Sequence, residues 1–370
     1  MKQPKVILTR NGDLVPFDIS RIERAIEKAA ESANHNDLSF VDEIAVQAVN
    51  RLAELMMESD GERAITIEDI QDVVENVLMD SQYKDIAKHY ILYRADRARD
   101  RRKKREETEK KIEKNTLKII KANGKKEIFD REKIRETYKR VSYKLARQCK
   151  FEELEDSLKK YIVDGMKTSD ITNMMIKSAI DLISVENIHW QHIAGRLATL
   201  DIYKEASKNR DTEIKDFYKP KSYLKLFKDY IKEGLYYRDF FDYYTEDDIK
   251  EAGRKLKQSI DMSYNYSTVL MYRKRYLLNP NKIIRELPQE MYMSAALFLA
   301  SPEPKETRLK TAFKIYEYCA KGMISLPTPT LLNARTNYHQ LSSCFKLNVD
   351  DDLRGIYHSI ENMSQISKYG

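Results

Sequence analysis

Cysteine is scarce in this 370-residue sequence: Cys149, Cys319 and Cys344 are its three, and none stands in Cys-x-x-Cys spacing. That excludes a disulfide framework and a structural zinc site, so no metal site is expected in the chain. Long apolar runs are missing as well. Nothing approaches the roughly 18 residues that a membrane span needs, and Met1-Lys2-Gln3-Pro4 leads straight into a strand-like segment. Neither a membrane partner nor a secretory leader is expected, and the default address is the cytoplasm. Net charge is also small, 66 Lys+Arg against 59 Asp+Glu leaving +7. Most of it sits between Arg94 and Asn115, where eleven basic and six acidic residues give a net of +5. A nucleic-acid binder would pair such a stretch with stacking aromatics. Here the signs are interspersed and no aromatic follows Tyr93. The stretch reads as a solvated helical linker braced by i,i+4 ion pairs, with no nucleic-acid partner.

What is present is a soluble globular composition, 42% hydrophobic and 34% charged, in a length that suits two or three domains of about 100–150 residues each. The first half is a repeat. Val6-Ile7-Leu8-Thr9-Arg10-Asn11-Gly12, Val15-Pro16-Phe17-Asp18 and Ser20-Arg21-Ile22-Glu23 return 112 positions later as Lys118 to Gly124, Glu127-Ile128-Phe129-Asp130 and Glu132-Lys133-Ile134. Each copy reads as strand, Asn-Gly turn, strand, helix, since Asn-Gly tolerates the positive φ of a tight hairpin. Ser20 and Glu23 predict a capping box. Helical periodicity continues over 40–58 and 67–80 in the first copy, with a third helix from about Tyr83. In the second copy it covers 151–163, 169–184 (starting at Thr168-Ser169-Asp170) and 186–207. A two-stranded hairpin is not stable alone, so each is expected to lie as a lid on its helical bundle.

The order of these motifs resembles the ATP-cone, an allosteric nucleotide-binding domain. The resemblance implies an ATP/dATP site (Mg²⁺ arriving with the nucleotide) in the second copy, formed by Lys121, Glu127, Asp130, Lys133, Thr168 and Lys204. Lysines around a triphosphate and the open N–H groups of a helix start make chemical sense of that set. The first copy departs from the pattern. Thr9 and Val15 stand where the strand lysine and glutamate belong, while Asp18 is kept. Arg21 retains charge on the first helix, and Leu92-Tyr93-Arg94 lines up with Ile202-Tyr203-Lys204. Arg10, Asp18, Arg21 and Arg94 are the residues available there, and this cone is expected to be a degenerate copy.

Beyond Tyr218 the composition turns aromatic, densest over 236–244, and this stripe reads as core. Helical periodicity ends near Gly322. Pro327 and Pro329 then argue for extended chain over 324–336, and 340–349 reads as a strand closed by Asp350-Asp351-Asp352. Asp242-Tyr243-Tyr244-Thr245-Glu246-Asp247, Glu306-Thr307-Arg308, Ser325-Leu326-Pro327-Thr328-Pro329 and Ser342-Ser343-Cys344 closely resemble the large (alpha) chain of ribonucleotide reductase, of the aerobic, diphosphate-reducing type. The implied fold class is mainly α. Two cones occupy 1–95 and 117–210, joined by the linker 96–116. An α-helical reductase domain follows over 211–322, and the first strand of a ten-stranded α/β barrel lies within 323–370.

The same resemblance implies roles. Cys344 becomes one of two thiols that reduce the ribose 2′ position, a two-electron step that a dithiol completes by closing a disulfide. Thr328 and Ser343 contact the ribonucleoside diphosphate, and Asp351 belongs to the specificity-effector site. Cys149 and Cys319 read as buried structural thiols. Implied partners are a radical-generating, metal-containing small (beta) subunit, thioredoxin or glutaredoxin as reductant, and further copies of the large chain whose assembly ATP and dATP control. The second redox thiol and most of the barrel fall outside these 370 residues. A split gene product, a truncated frame or an intein-interrupted precursor is therefore expected, inactive until joined by the C-terminal reductase fragment. The competing reading is a non-catalytic ATP/dATP sensor built from cones, which would have no use for residues 325–344.

Overall fold

The computed structural model describes residues 4–9, 14–58, 65–121 and 123–369. It forms two compact units, one of residues 1–130 with 158–168, the other of 131–157 with 169–370. This division runs through the second repeat rather than along its ends at 117 and 210.

In the first unit, strands β1 (Val6–Leu8) and β2 (Leu14–Pro16) pair antiparallel, Ile7 opposite Val15. Asn11 and Gly12, read as the hairpin turn, lie outside the described residues. Helices α1 (Ser20–Ser32), α2 (Val41–Glu58), α3 (Ile67–Asp80) and α4 (Lys84–Glu113) follow. Their apolar positions fall at helical spacing and converge on one core: Ile22 and Ile26 from α1, Ile44 and Leu52 from α2, Val74 and Leu78 from α3, Ile86 from α4. Burying each such side chain contributes about 1.5–3 kcal/mol. Ile7 joins the same core, and the Leu8 amide donates to the Ile65 carbonyl (2.8 Å), tying the hairpin to the start of α3.

Two helix starts are capped by chemistry the sequence carries. Thr66 and Asp69 form a reciprocal capping box on α3. The box expected from Ser20 and Glu23 is not formed. Asp18 lies two residues nearer the entry, and its carboxylate accepts the Ser20 amide instead (3.1 Å). Most of the linker expected at 96–116 is the continuation of α4, a single 30-residue helix that ends at Glu113.

The second hairpin, β3 (Lys118–Ile120) with β4 (Lys126–Ile128), also lies in the first unit and gains a parallel strand β5 (Met166–Lys167). Gly124 has φ +78°, the left-handed conformation that the Asn-Gly signal anticipates. Asp164 fixes this sheet: it accepts from the Lys118 amide (2.8 Å) and pairs with Lys111 (2.7 Å).

The second unit is helical. It holds α5 (Arg131–Val141), α6 (Phe151–Lys159) up to residue 157, α7 (Thr168–Asp181) from residue 169 and α8 (Trp190–Arg210), then α9 (Pro220–Lys232), α10 (Phe240–Tyr243) and α11 (Glu246–Lys255). After α12 (Gln258–Asp261) and α13 (Tyr266–Met271) comes a π-helical turn, Tyr272–Tyr276. The chain continues through α14 (Pro288–Ala300), α15 (Lys305–Ala320), α16 (Thr328–Asn333) and α17 (Leu353–Tyr369). The aromatic stripe is core, as expected: Tyr236 and Phe240 are fully buried, their rings edge-on to Phe227 or tilted against it. Gly195 of α8 is required by packing, since a Cβ there would meet the Tyr264 carbonyl at 2.5 Å.

Two expectations for the end of the chain fail. Residues 328–333 are a short helix rather than extended chain, because Pro329 falls in its first turn, where a missing N–H leaves no bond unmade. Residues 337–350 carry no strand. A strand exists only with a partner to accept its ladder, and no partner strand is present among the described residues.

Candidate functional site

Within the first unit, Lys121 and Glu127 face each other across the second hairpin and form an ion pair of 2.6 Å, both partly exposed. Asp130 is exposed after β4, and Thr168 is half-buried at the start of α7. In the second unit, Lys133 lies exposed on α5 and Lys204 exposed on α8. The Lys204 ammonium donates to the Thr172 hydroxyl of α7 (3.2 Å). Lys121 and Glu127 are thus in direct contact, and Lys204 touches a neighbour not singled out from sequence.

The first repeat handles its charges differently. Arg94 of α4 is half-buried and clasped by two carboxylates of α3, Asp72 (2.6 Å) and Glu75 (2.9 Å). Burial opposes its charge, yet hydrogen bonds to these acids raise its pKa above the ordinary guanidinium value. Asp18 gathers Arg21 and Arg24, each at 3.9 Å. Hydrogen bonding by Ser20, helped by those two guanidinium groups, holds its carboxyl below the usual range. Arg10 lies outside the described residues. Helices α3 and α7 align through buried Val74 and Met175, Leu78 and Ala179. In that register Asp72 corresponds to Asn173 and Glu75 to Ile176, so the second repeat lacks both acids that neutralise Arg94.

At the far end of the chain the three thiols separate by environment. Cys149 and Cys319 are buried and Cys344 is exposed. Burial pushes the Cys149 thiol up to about 11 and raises that of Cys319, which makes both poor nucleophiles. The segment that carries Ser343 and Cys344 is held on α16 from behind: Thr330 donates to the Leu341 carbonyl (3.1 Å) and Asn333 to the Gln340 carbonyl (2.7 Å). Thr328, at the first position of α16, shares a hydrogen bond with the Tyr276 hydroxyl (2.9 Å). Asp351 is exposed just before α17.

Beneath α16 lies a buried ion pair that sequence reading missed. Arg335 and Glu286, both 0% exposed, meet at 2.7 Å through Nε and 2.8 Å through Nη2. Glu286 also accepts from the Tyr236 hydroxyl (2.7 Å) and the Leu278 amide (2.8 Å), so its lone pairs are satisfied. Two quoted motifs prove to be scaffold. Thr245 and Asp248 cap α11, and Arg308 of the Glu-Thr-Arg motif donates to the Tyr243 carbonyl (2.7 Å).

Comparison with known proteins gives this geometry a context. The sequence profile of the ATP cone domain matches residues 5–99 and 117–205, and that of the ribonucleotide reductase all-alpha domain matches 262–339. The ribonucleoside-diphosphate reductase subunit alpha of Treponema pallidum is 31% identical over 372 residues, 98% of this chain and 41% of the relative. The chain belongs with the large chains of ribonucleotide reductase. Its counterpart from Chlamydia pneumoniae is 28% identical over 378 residues (98% of this chain, 35% of the relative), and that of Synechocystis 34% over 217 (59% and 27%). The chain therefore spans about two fifths of the length of the reductase large chain from Treponema. Within this reductase-type chain the cone matches cover the Lys121 and Lys204 neighbourhoods, and the all-alpha match covers Tyr276, Glu286, Thr328 and Arg335. Among the described residues, no helix is long and apolar enough to cross a membrane.

Proposed function

We propose that this chain is the regulatory and substrate-entry part of a ribonucleoside-diphosphate reductase, converting ribonucleoside diphosphates to deoxyribonucleoside diphosphates once the rest of the large chain is joined to it. The observation that carries this reading is the sorting of its sulfurs: Cys344 alone is exposed, on a segment braced by Thr330 and Asn333, while the other two thiols are buried and inert. In the overall reaction the 2′ carbon–oxygen bond breaks, the oxygen leaves as water, and two thiols give up two electrons and two protons as they close an S–S bond. Cys344 supplies one of those thiols. Thr328 and Ser343 offer hydroxyl donors to the diphosphate. The radical that opens the sugar to this chemistry is supplied by a separate metal-containing subunit. Thioredoxin or glutaredoxin then returns the disulfide to the dithiol by exchange.

The second cone takes ATP or dATP through Lys121, Lys133 and Lys204 on the phosphates, with Glu127, Asp130 and Thr168 completing the set; the donor chemistry suits a polyphosphate. Lys121 would exchange its present partner, Glu127, for phosphate oxygen. Effector control operates as a shift between assemblies of large chains, which requires the effector to bind those assemblies unequally. The first cone keeps the architecture without a charge left over for phosphate at Arg94. Asp351 contributes to the specificity-effector site.

Replacing Cys344 by Ser in the complete large subunit tests the catalytic reading. Turnover with a dithiol reductant should vanish while the diphosphate substrate still binds. Normal turnover in that variant removes the proposal.

A further inference from the structure

We infer that Tyr276 is a positioning residue for substrate, acting through Thr328. This rests on the proposed reading that Thr328 contacts the diphosphate. The two hydroxyls lie 2.9 Å apart and both side chains are half-buried. A diphosphate oxygen only accepts hydrogen bonds, so Thr328 is useful when its proton points outward. A phenol that donates into the threonine oxygen leaves that proton for the substrate and stops the hydroxyl from rotating.

The scaffold around this pair is built to hold it. Tyr276 ends the π-helical turn, where the Leu277 amide donates to the carbonyl of Tyr272 five residues earlier (2.9 Å). Such an inserted residue re-aims the side chains at the end of a helix and is frequent at functional sites. One guanidinium then ties both sides of the contact: Arg335 donates through Nη2 to the Tyr276 carbonyl (2.7 Å) and through Nη1 to the Leu331 carbonyl of α16. Glu286 locks that guanidinium from below. The π turn and α16, 52 residues apart in sequence, are thereby fixed to each other at the position where the two hydroxyls meet.

Steady-state kinetics of the complete reductase holoenzyme with CDP provide the test. Tyr276→Phe removes one oxygen and keeps the ring. It should raise KM about three- to tenfold, the effect of one neutral hydrogen bond, with kcat and the thermal midpoint nearly unchanged. Thr328→Val should raise KM at least as far, and Thr328→Ser, which retains a hydroxyl, should stay near the parent. The double variant Tyr276→Phe/Thr328→Val should be no worse than Thr328→Val alone, because the tyrosine works only through the threonine. A normal KM in Tyr276→Phe beside a raised KM in Thr328→Val overturns the inference and leaves the reading of Thr328 standing. Multiplicative effects in the double variant overturn it as well. A normal KM in Thr328→Val removes the reading of Thr328 as a substrate contact, and the inference with it.

Discussion

The two repeats place a cation at the same point of their last helix and treat it in opposite ways. Arg94 is half-buried between Asp72 and Glu75. Lys204 is exposed and donates to the neutral Thr172 hydroxyl, with Asn173 and Ile176 at the positions of the two acids. The first arrangement stabilises a fold and consumes the charge. On the function proposed above, the second leaves the charge for a ligand, so the two repeats share a hairpin and a helical bundle and differ in the two carboxylates that clasp Arg94. The buried pair Arg335–Glu286 is the extreme of the compensated kind, with both partners inaccessible to water.

The largest effect is expected there. Arg335→Met leaves Glu286 buried without its counter-charge, and urea denaturation should show a loss of about 3–5 kcal/mol. A loss under about 1 kcal/mol would mean that the pair is not the clamp described.

Next comes the pH response of two other buried acids in the same unit. Burial raises Asp261 to about 6, against hydrogen bonds from Tyr203, Tyr218 and Gln289, and raises Glu290 to about 7 against the pull of Arg210. Because their folded pKa values lie above the unfolded ones, the folded state holds more protons. Their contribution to stability is complete below the unfolded pKa and is lost as pH rises through about 6 and 7. Denaturation midpoints should therefore fall between pH 5 and pH 8, and Asp261→Asn should flatten that slope. An unchanged slope in the variant contradicts the assignment.

Arg94→Ala should cost about 1–2 kcal/mol, since Asp72 and Glu75 are then left facing each other; a neutral result would show the pair to be ornamental. The smallest effect tests the comparison from the other side. Asn173→Asp restores an acid at the position that Asp72 holds in the first repeat and should weaken dATP binding about threefold to tenfold. Unaltered affinity would mean that charge at this position does not distinguish the repeats.

Much of this was legible in the sequence. The helices of the repeats follow from the spacing of Ile22, Ile26, Val74 and Leu78, whose burial the periodicity foretells. The Asn-Gly turn at Gly124 follows from backbone sterics. Cys344 could be separated from Cys149 and Cys319 by their neighbours alone. What escaped were contacts between distant residues. The partner of Arg335 lies 49 residues earlier, and no periodicity records it, because a buried glutamate looks like an exposed one in a sequence. Local competition also escaped: Asp18 displaced the Ser20 capping box, and Pro329 started a helix it was expected to forbid. The strand read at 340–349 has the composition of a strand, but composition does not supply a neighbour to pair with.

On the proposed function, the charge left uncompensated in the second repeat, and not the compensated one in the first, holds the nucleotide. Calorimetric titration of dATP into the 370-residue chain and into its Lys204→Ala and Arg94→Ala variants tests it most directly. Lys204→Ala should weaken binding by about tenfold or more, the scale of a lost charge-assisted contact, while Arg94→Ala should leave the affinity unchanged. Loss of binding in Arg94→Ala with full affinity in Lys204→Ala would contradict the account.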